Sequence, residues 1–306
     1  MKTINRRDFL KKTSSAGLAL SLLPGNLVAA PEAAKAARAL KKGYMLNTYP
    51  GKEVSVLEKF KNIKAAGFAG VEASSHMDQD EVLRARDETG LLIPSVVCGQ
   101  HSRALANANP AKRDEAVEGV KQALRDAKRY GASSVLVVPG GVSEETSYAD
   151  NYRFTQEGLR KTVPLAEELG VKLAFENVWN HFLLSPMEAA RYVDEFNSPA
   201  AGWHFDVGNV IFLGWPEQWI HILGKRIQKI HIKEYSRKLL NERGLRAGFE
   251  VEYLEGDNDW PAVMKALDAI GYSGWVIAEP AWRPKGVSMT ERLKTISEKM
   301  DRIMAS

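Results

Sequence analysis

One cysteine, Cys98, stands in 306 residues, so no disulfide can form within the chain and a core of ordinary side chains must hold it together. No apolar run is long enough to span a membrane as a helix: that takes roughly 20 residues, and the best stretch, around residues 16–23, offers about 10. A glycine-rich phosphate fingerprint of the G-x-G-x-x-G kind is also missing. Excess charge is confined to one end. Residues 1–30 carry five of the 42 basic residues and one of the 38 acidic ones, which leaves 37 of each downstream. A near-neutral chain of this kind argues against an extended nucleic-acid surface, whose affinity is built from accumulated Lys and Arg.

What is present begins with Asn5-Arg6-Arg7-Asp8-Phe9-Leu10-Lys11-Lys12, then a short apolar stretch and the small-residue exit Val28-Ala29-Ala30. This resembles a twin-arginine export signal over residues 1–30, with cleavage expected after Ala30 or as late as Ala36. The expected location is periplasmic or secreted, with no membrane anchor. Residues 31–42 read as a linker, and residues 43–306 suit one large domain, since α/β barrels commonly take about 250 residues.

A repeated phrase organises the rest. An amphipathic helix ends at Gly and an apolar strand follows at once, at Ala66-Gly67-Phe68, Thr89-Gly90-Leu91, Tyr130-Gly131-Ala132, Leu169-Gly170-Val171 and Ile270-Gly271-Tyr272. Helical spacing precedes these points, with Val56, Phe60 and Ile63 in one segment, Val117, Val120, Leu124 and Ala127 in another, and Leu159, Val163, Ala166 and Leu169 in a third. Strands are expected over 43–47, 68–73, 91–97, 133–138, 171–176, 201–206, 227–232 and 274–279. Eight such units predict a closed (β/α)8 TIM barrel; an open doubly wound sheet is the competing arrangement. The stretch 233–259 reads as a long irregular loop on the catalytic face, where such loops serve as lids or substrate walls.

Glu176, Asp206, His231 and Glu279 each stand where one of the last four strands stops, the rim on which a barrel of this kind places its chemistry. Taken singly, each also fits a helix-cap acid or a satisfied buried histidine. Four in register read as one divalent-metal site, because a shared cation offsets the cost of burying three carboxylates together. The oxygen-rich donor set favours Mn²⁺, with Mg²⁺ or Co²⁺ as alternatives. Such an ion stabilises an enediolate formed by proton loss beside a carbonyl, and Glu176 and Glu279 are the candidates for the base that exchanges the proton. His76 and His101 follow the second and third strands on the same rim, as substrate contacts or ordinary loop histidines. Glu72 and His181 are further rim candidates, and Trp179, Trp215 and Trp282 offer aromatic faces that could stack on sugar rings or pack beneath loops.

The motifs Phe175-Glu176-Asn177, Phe205-Asp206-Val207-Gly208-Asn209, Ile230-His231-Ile232-Lys233-Glu234, Glu255-Gly256-Asp257-Asn258-Asp259-Trp260 and Ala278-Glu279-Pro280 resemble those of the xylose-isomerase-like sugar isomerases and epimerases. The resemblance covers nearly all of the chain after the leader. It implies that Glu176, Asp206, His231 and Glu279 bind the metal, that the two glutamates exchange the proton, and that Arg237, six positions beyond the histidine, binds substrate. Asn209 departs from the pattern, standing where ketose 3-epimerases of this family carry a substrate-contacting histidine; it can hydrogen-bond but not shuttle a proton at neutral pH.

The resulting expectation is a metal-dependent isomerase or epimerase acting on a keto sugar, free or glycosidic, since an exported enzyme rarely meets sugar phosphates. The alternative with the same metal and base is a 3-keto-glycoside β-elimination lyase. Two rivals of other classes are a non-catalytic carbohydrate-binding barrel and an apurinic endonuclease-like nuclease, the latter weakened by Asn209 and by the neutral charge. The expected partner is a small carbohydrate, and a homo-oligomer is compatible with the sequence.

Overall fold

The computed structural model describes residues 39–51, 53–281 and 284–306; the leader with both cleavage points, and Trp282, lie outside the described residues. Eight strands run through it: β1 Leu40–Met45, β2 Gly70–Ser74, β3 Ser95–Val97, β4 Ser134–Val137, β5 Lys172–Glu176, β6 Ala201–Asp206, β7 Ile227–Ile232 and β8 Gly274–Ala278. Neighbours pair in parallel in chain order, and β1 closes on β8 with Leu40 opposite Gly274 and Tyr44 opposite Ala278. The sheet is therefore a closed (β/α)8 barrel, not an open one. No helix among the described residues is long and apolar enough to cross a membrane.

The alternation of each strand sorts its side chains between two environments. In β5, Phe175 turns outward and meets Tyr192 at 5.3 Å and Phe196 at 5.1 Å between ring centres, while Glu176 faces the barrel interior. In β6, Phe205 stacks on Trp219 of the covering helix, while His204 and Asp206 point inward. Each such buried aromatic contributes about 1.5–3 kcal/mol of apolar burial and fixes the register that aims its acidic neighbour at the axis. The five glycines at the predicted helix ends all adopt left-handed backbone, with φ between 65° and 88°.

Several boundaries differ from expectation. β1 starts at Leu40, inside the expected linker, because Leu40, Lys41 and Lys42 are needed to pair with Gly274, Trp275 and Val276. Their charged ends are accommodated outside the core: Lys42 Nζ bonds the Asp301 carboxylate at 2.6 Å, and Lys41 lies over the Trp275 ring. β3 shortens to three residues because Pro94 has no N–H for the ladder, leaving only a single bridge between Leu92 and Gly70. The segment carrying Leu159, Val163, Ala166 and Leu169 is two helices, Tyr148–Arg160 and Val163–Leu169, broken ahead of Pro164, whose ring cannot follow the carbonyl four residues earlier. The stretch 233–259 is not wholly irregular, since it holds a helix at Arg237–Arg243 and a 3-10 turn at Leu245–Phe249.

Candidate metal centre

The last inward residues of β5, β6 and β7, and the residue following β8, converge. One ligand atom each from Glu176, Asp206, His231 and Glu279 lies within 4.8 Å of all the others. His231 Nδ1 stands 3.1 Å from Glu176 Oε1 and 2.8 Å from Glu279 Oε2. Asp206 and His231 are fully buried, Glu176 nearly so, and Glu279 keeps a side-chain exposure of 19%, which leaves one approach from solvent.

The motifs account for this placement. Asn177 Oδ1 accepts from the Asp206 N–H and from Trp203 Nε1, while its Nδ2 donates to the Asp206 carbonyl at 2.7 Å, so the end of β5 is tied to the end of β6. Gly208 is required because a Cβ there would stand 2.7 Å from the Lys233 carbonyl oxygen. Glu234 accepts the Leu254 and Asn258 N–H groups and Trp260 Nε1, and Tyr253 donates its hydroxyl to the Ile232 carbonyl, which folds the loop after β7 back onto its strand.

Lys233 received no role from sequence and reaches two members of the quartet. Its Nζ lies 2.7 Å from Asp206 Oδ2 and 2.7 Å from Glu279 Oε1. The signal was the spacing: His231 and Lys233 are two apart and share a face of the strand. Burial raises the Asp206 carboxyl to about 7 against the pull of Lys233. Burial also pushes Glu176 up, and the neighbouring Glu279 charge adds to it. For Glu279 burial acts in the same direction, but Lys233 and His231 outweigh it and hold the carboxyl well below the usual range. Burial opposes the His231 cation as well, yet Glu72 and Glu279 carry it well above its ordinary value.

A divalent cation fits these residues. Asp206 Oδ2 and Glu279 Oε2 are buried and accept no hydrogen bond, their close cations standing at ionic distance without the angles of a hydrogen bond. Both oxygens belong to the cluster and have ion-pair partners but no hydrogen bond, so a cation held there would give them the directed contact they lack.

The other sequence candidates are distributed differently. Glu72 does not reach the rim. It is 1% exposed, its Oε2 lies 2.7 Å from His231 Nε2, and its Oε1 accepts from Ser95 Oγ at 2.5 Å. It backs His231 through Nε2 and leaves Nδ1 facing the cluster, an arrangement like that of a carboxylate behind a metal-binding imidazole. Beneath it the interior stays polar, with His204, Ser134 and Lys229 all buried.

Asn209 lies at the site, but its groups are committed. Its N–H donates to Asp206 Oδ1, its Nδ2 to the Asn177 carbonyl, and its carbonyl accepts from Trp179 Nε1. Arg237 does not turn into the cluster either: Nε donates to the Ile211 carbonyl and Nη2 to that of Gly214, bracing the loop after β6. His76 and His101 stack on each other with ring centres 3.7 Å apart, and no hydrogen bond or ion pair among the described residues links them to the quartet. His76 takes a left-handed φ of 61°, held by its N–H bond to the buried Asp126 carboxylate. His181 and Trp179 line a cavity beside the site, whereas Trp215 is exposed.

Among proteins of known activity, an inosose dehydratase from Geobacillus thermodenitrificans is 23% identical over 76% of this chain and 85% of its own. An L-ribulose-5-phosphate 3-epimerase from Escherichia coli is 23% identical over 73% and 81%. Among solved structures, the apo 3-keto-D-glucoside 4-epimerase of E. coli superposes with a TM-score of 0.73 at 18% identity, covering 87% of this chain and all of the other. The family model of the xylose isomerase-like TIM barrel matches residues 60–304, and the chain belongs to that family.

Proposed function

We propose that this protein is a divalent-metal-dependent isomerase or epimerase of a keto sugar, working by proton transfer at the carbon beside the carbonyl. One observation carries the reading: two glutamates from strands three places apart in the barrel close on the same imidazole nitrogen, at 3.1 and 2.8 Å. Two carboxylates beside one point can serve both faces of a substrate bound there. Their environments push them apart, Glu279 toward the anion and Glu176 toward the protonated form, which supports Glu279 as base and Glu176 as acid. Glu176, Asp206, His231 and Glu279 would hold the ion, which supplies Lewis acidity at the carbonyl oxygen; the oxygen-rich donors favour Mn²⁺ over Mg²⁺ or Co²⁺. Lys233 brings a second positive charge to the site, and Glu72 keeps His231 in place.

The relationship to an inosose dehydratase, together with Asn209 in place of a substrate-contacting histidine, supports a second reading: β-elimination from a 3-keto glycoside after the same proton loss. The expected export signal supports a free or glycosidic sugar over a sugar phosphate, and fractionation of expressing cells tests that location. Incubating the metal-loaded protein with free ketoses and with 3-keto glycosides, followed by NMR of the products, separates the two reactions. New epimer or isomer establishes the first reading, aglycone release without epimer replaces it with the second, and neither product from either class overturns both.

A further inference from the structure

Beside the quartet, between the loops that follow β5, β6 and β7, lies a cavity of about 130 Å³ whose lining is mostly apolar, with Trp179, Phe182, Val210, Phe212, Leu213 and Leu245 prominent. Its volume is close to that of the leucine- and phenylalanine-lined hole of about 150 Å³ known to take up benzene. The walls are preformed. Trp179 packs against Phe249 at 4.6 Å, Tyr235 at 5.6 Å and Phe212 at 5.7 Å between ring centres. Phe212 and Leu213 belong to the segment that Arg237 braces through the carbonyls of Ile211 and Gly214.

Two lining residues, Asn177 and Asn209, hydrogen-bond Asp206 of the quartet, so the cavity lies next to the chemistry. Asn209 joins them, donating its N–H to Asp206 Oδ1 while its carbonyl receives the Trp179 indole N–H. Behind the lining, Lys233, paired with Asp206 and Glu279, lies 5.6 Å from the ring of Phe249, which packs against Trp179. A sugar at the quartet therefore has an apolar compartment beside it. Around the opening Leu184, Leu213 and Leu245 are 55%, 65% and 40% exposed, a grouping of large apolar side chains that a substrate of hydroxyls alone does not call for.

We infer that this cavity is an aglycone subsite: it takes an uncharged aromatic group attached to the keto sugar, so the substrate class is an aryl glycoside. The inference rests on the keto-sugar reading above for the placement of the sugar, and it makes no use of the metal. Phenyl and methyl β-D-glucosides lack the ketone and cannot turn over, so their dissociation constants, read by ligand-observed NMR on the whole protein, report the subsite alone. A single methylene in an apolar pocket is worth about tenfold or more in discrimination, so phenyl should bind at least about tenfold tighter than methyl. Leu213→Glu and Leu245→Glu place a charge at the mouth on side chains exposed enough to spare the fold, and each should bring that ratio close to one.

A phenyl-to-methyl ratio near one in the unaltered protein overturns the inference. So does a ratio that survives both substitutions while the molecular mass in solution drops, since the apolar mouth would then be an interface between copies of the chain. Solvent-deuterium exchange into 3-keto sugars is scored separately: its absence removes the proton-transfer reading, while the binding ratio still decides the subsite.

Discussion

Replacing Glu72 with Gln tests whether the histidine ligand is held from behind. Glu72 Oε2 and His231 Nε2 are 2.7 Å apart and both side chains have no exposure, so water cannot take over the contact. A glutamine keeps the shape: its carbonyl oxygen can accept from Nε2–H, and its amide can donate to Ser95 Oγ, a hydroxyl able to accept. What disappears is the negative charge that makes the other ring nitrogen a stronger ligand. Partners of this kind typically account for 10- to 100-fold in metal affinity, or about 1.4–2.7 kcal/mol. Competition with a chelator for Mn²⁺ at fixed pH measures the loss, and urea unfolding of the metal-free protein shows whether the fold is intact. An affinity within about twofold of the unaltered protein would refute the backing role. If that came with weaker sugar binding, Glu72 would return to the substrate contact its sequence position suggests.

Lys233→Met removes the cation shared by Asp206 and Glu279; breaking a buried pair typically costs about 3–5 kcal/mol. Thermal unfolding of the metal-free variant should show the loss, and added Mn²⁺ should recover more stability than it gives the unaltered protein; equal gains would contradict the shared-cation arrangement. Lys229 is buried against Ser133, and burial lowers its ammonium from 10.5 to about 8. Below pH 8 both folded and unfolded chains carry the proton and the folded state bears the whole penalty. Between 8 and 10.5 the unfolded chain binds more protons, so stability rises with pH. At neutral pH, Lys229→Met should therefore be more stable by up to about 3 kcal/mol, an advantage that shrinks as pH rises through this window; a pH-independent difference would remove the buried-charge explanation.

The barrel was legible because its signals are local and repeated. Glycine after five of the amphipathic helices, each time with an apolar strand beyond it, recurs often enough to count units, and the candidate ligands at the strand ends follow from the count. Where a proline intervened, as at Pro94 and Pro164, the hydrophobic pattern ran on while the backbone could not. The candidate site was legible only where a residue of the quartet stands at or near the end of its own strand. Glu72 also lies near a strand end, yet the partner that defines it is 159 positions away, so no local pattern distinguishes a rim carboxylate from one beneath the histidine. Lys233 stood in a quoted motif without a role, because its meaning comes from Asp206 and Glu279 on neighbouring strands. Arg237 and Asn209 show the converse: residue types suited to sugar hydroxyls that are instead engaged with backbone groups.

The most direct test of the central claim is deuterium uptake from D₂O at the carbon beside the carbonyl of a keto sugar, followed by NMR with the metal-loaded protein. Exchange that stops on metal removal, and falls by about 10²–10⁴ in Glu176→Gln and in Glu279→Gln, is the predicted result. Exchange unchanged by both substitutions, or none at all with keto sugars that bind to the fully metal-loaded protein, would contradict it.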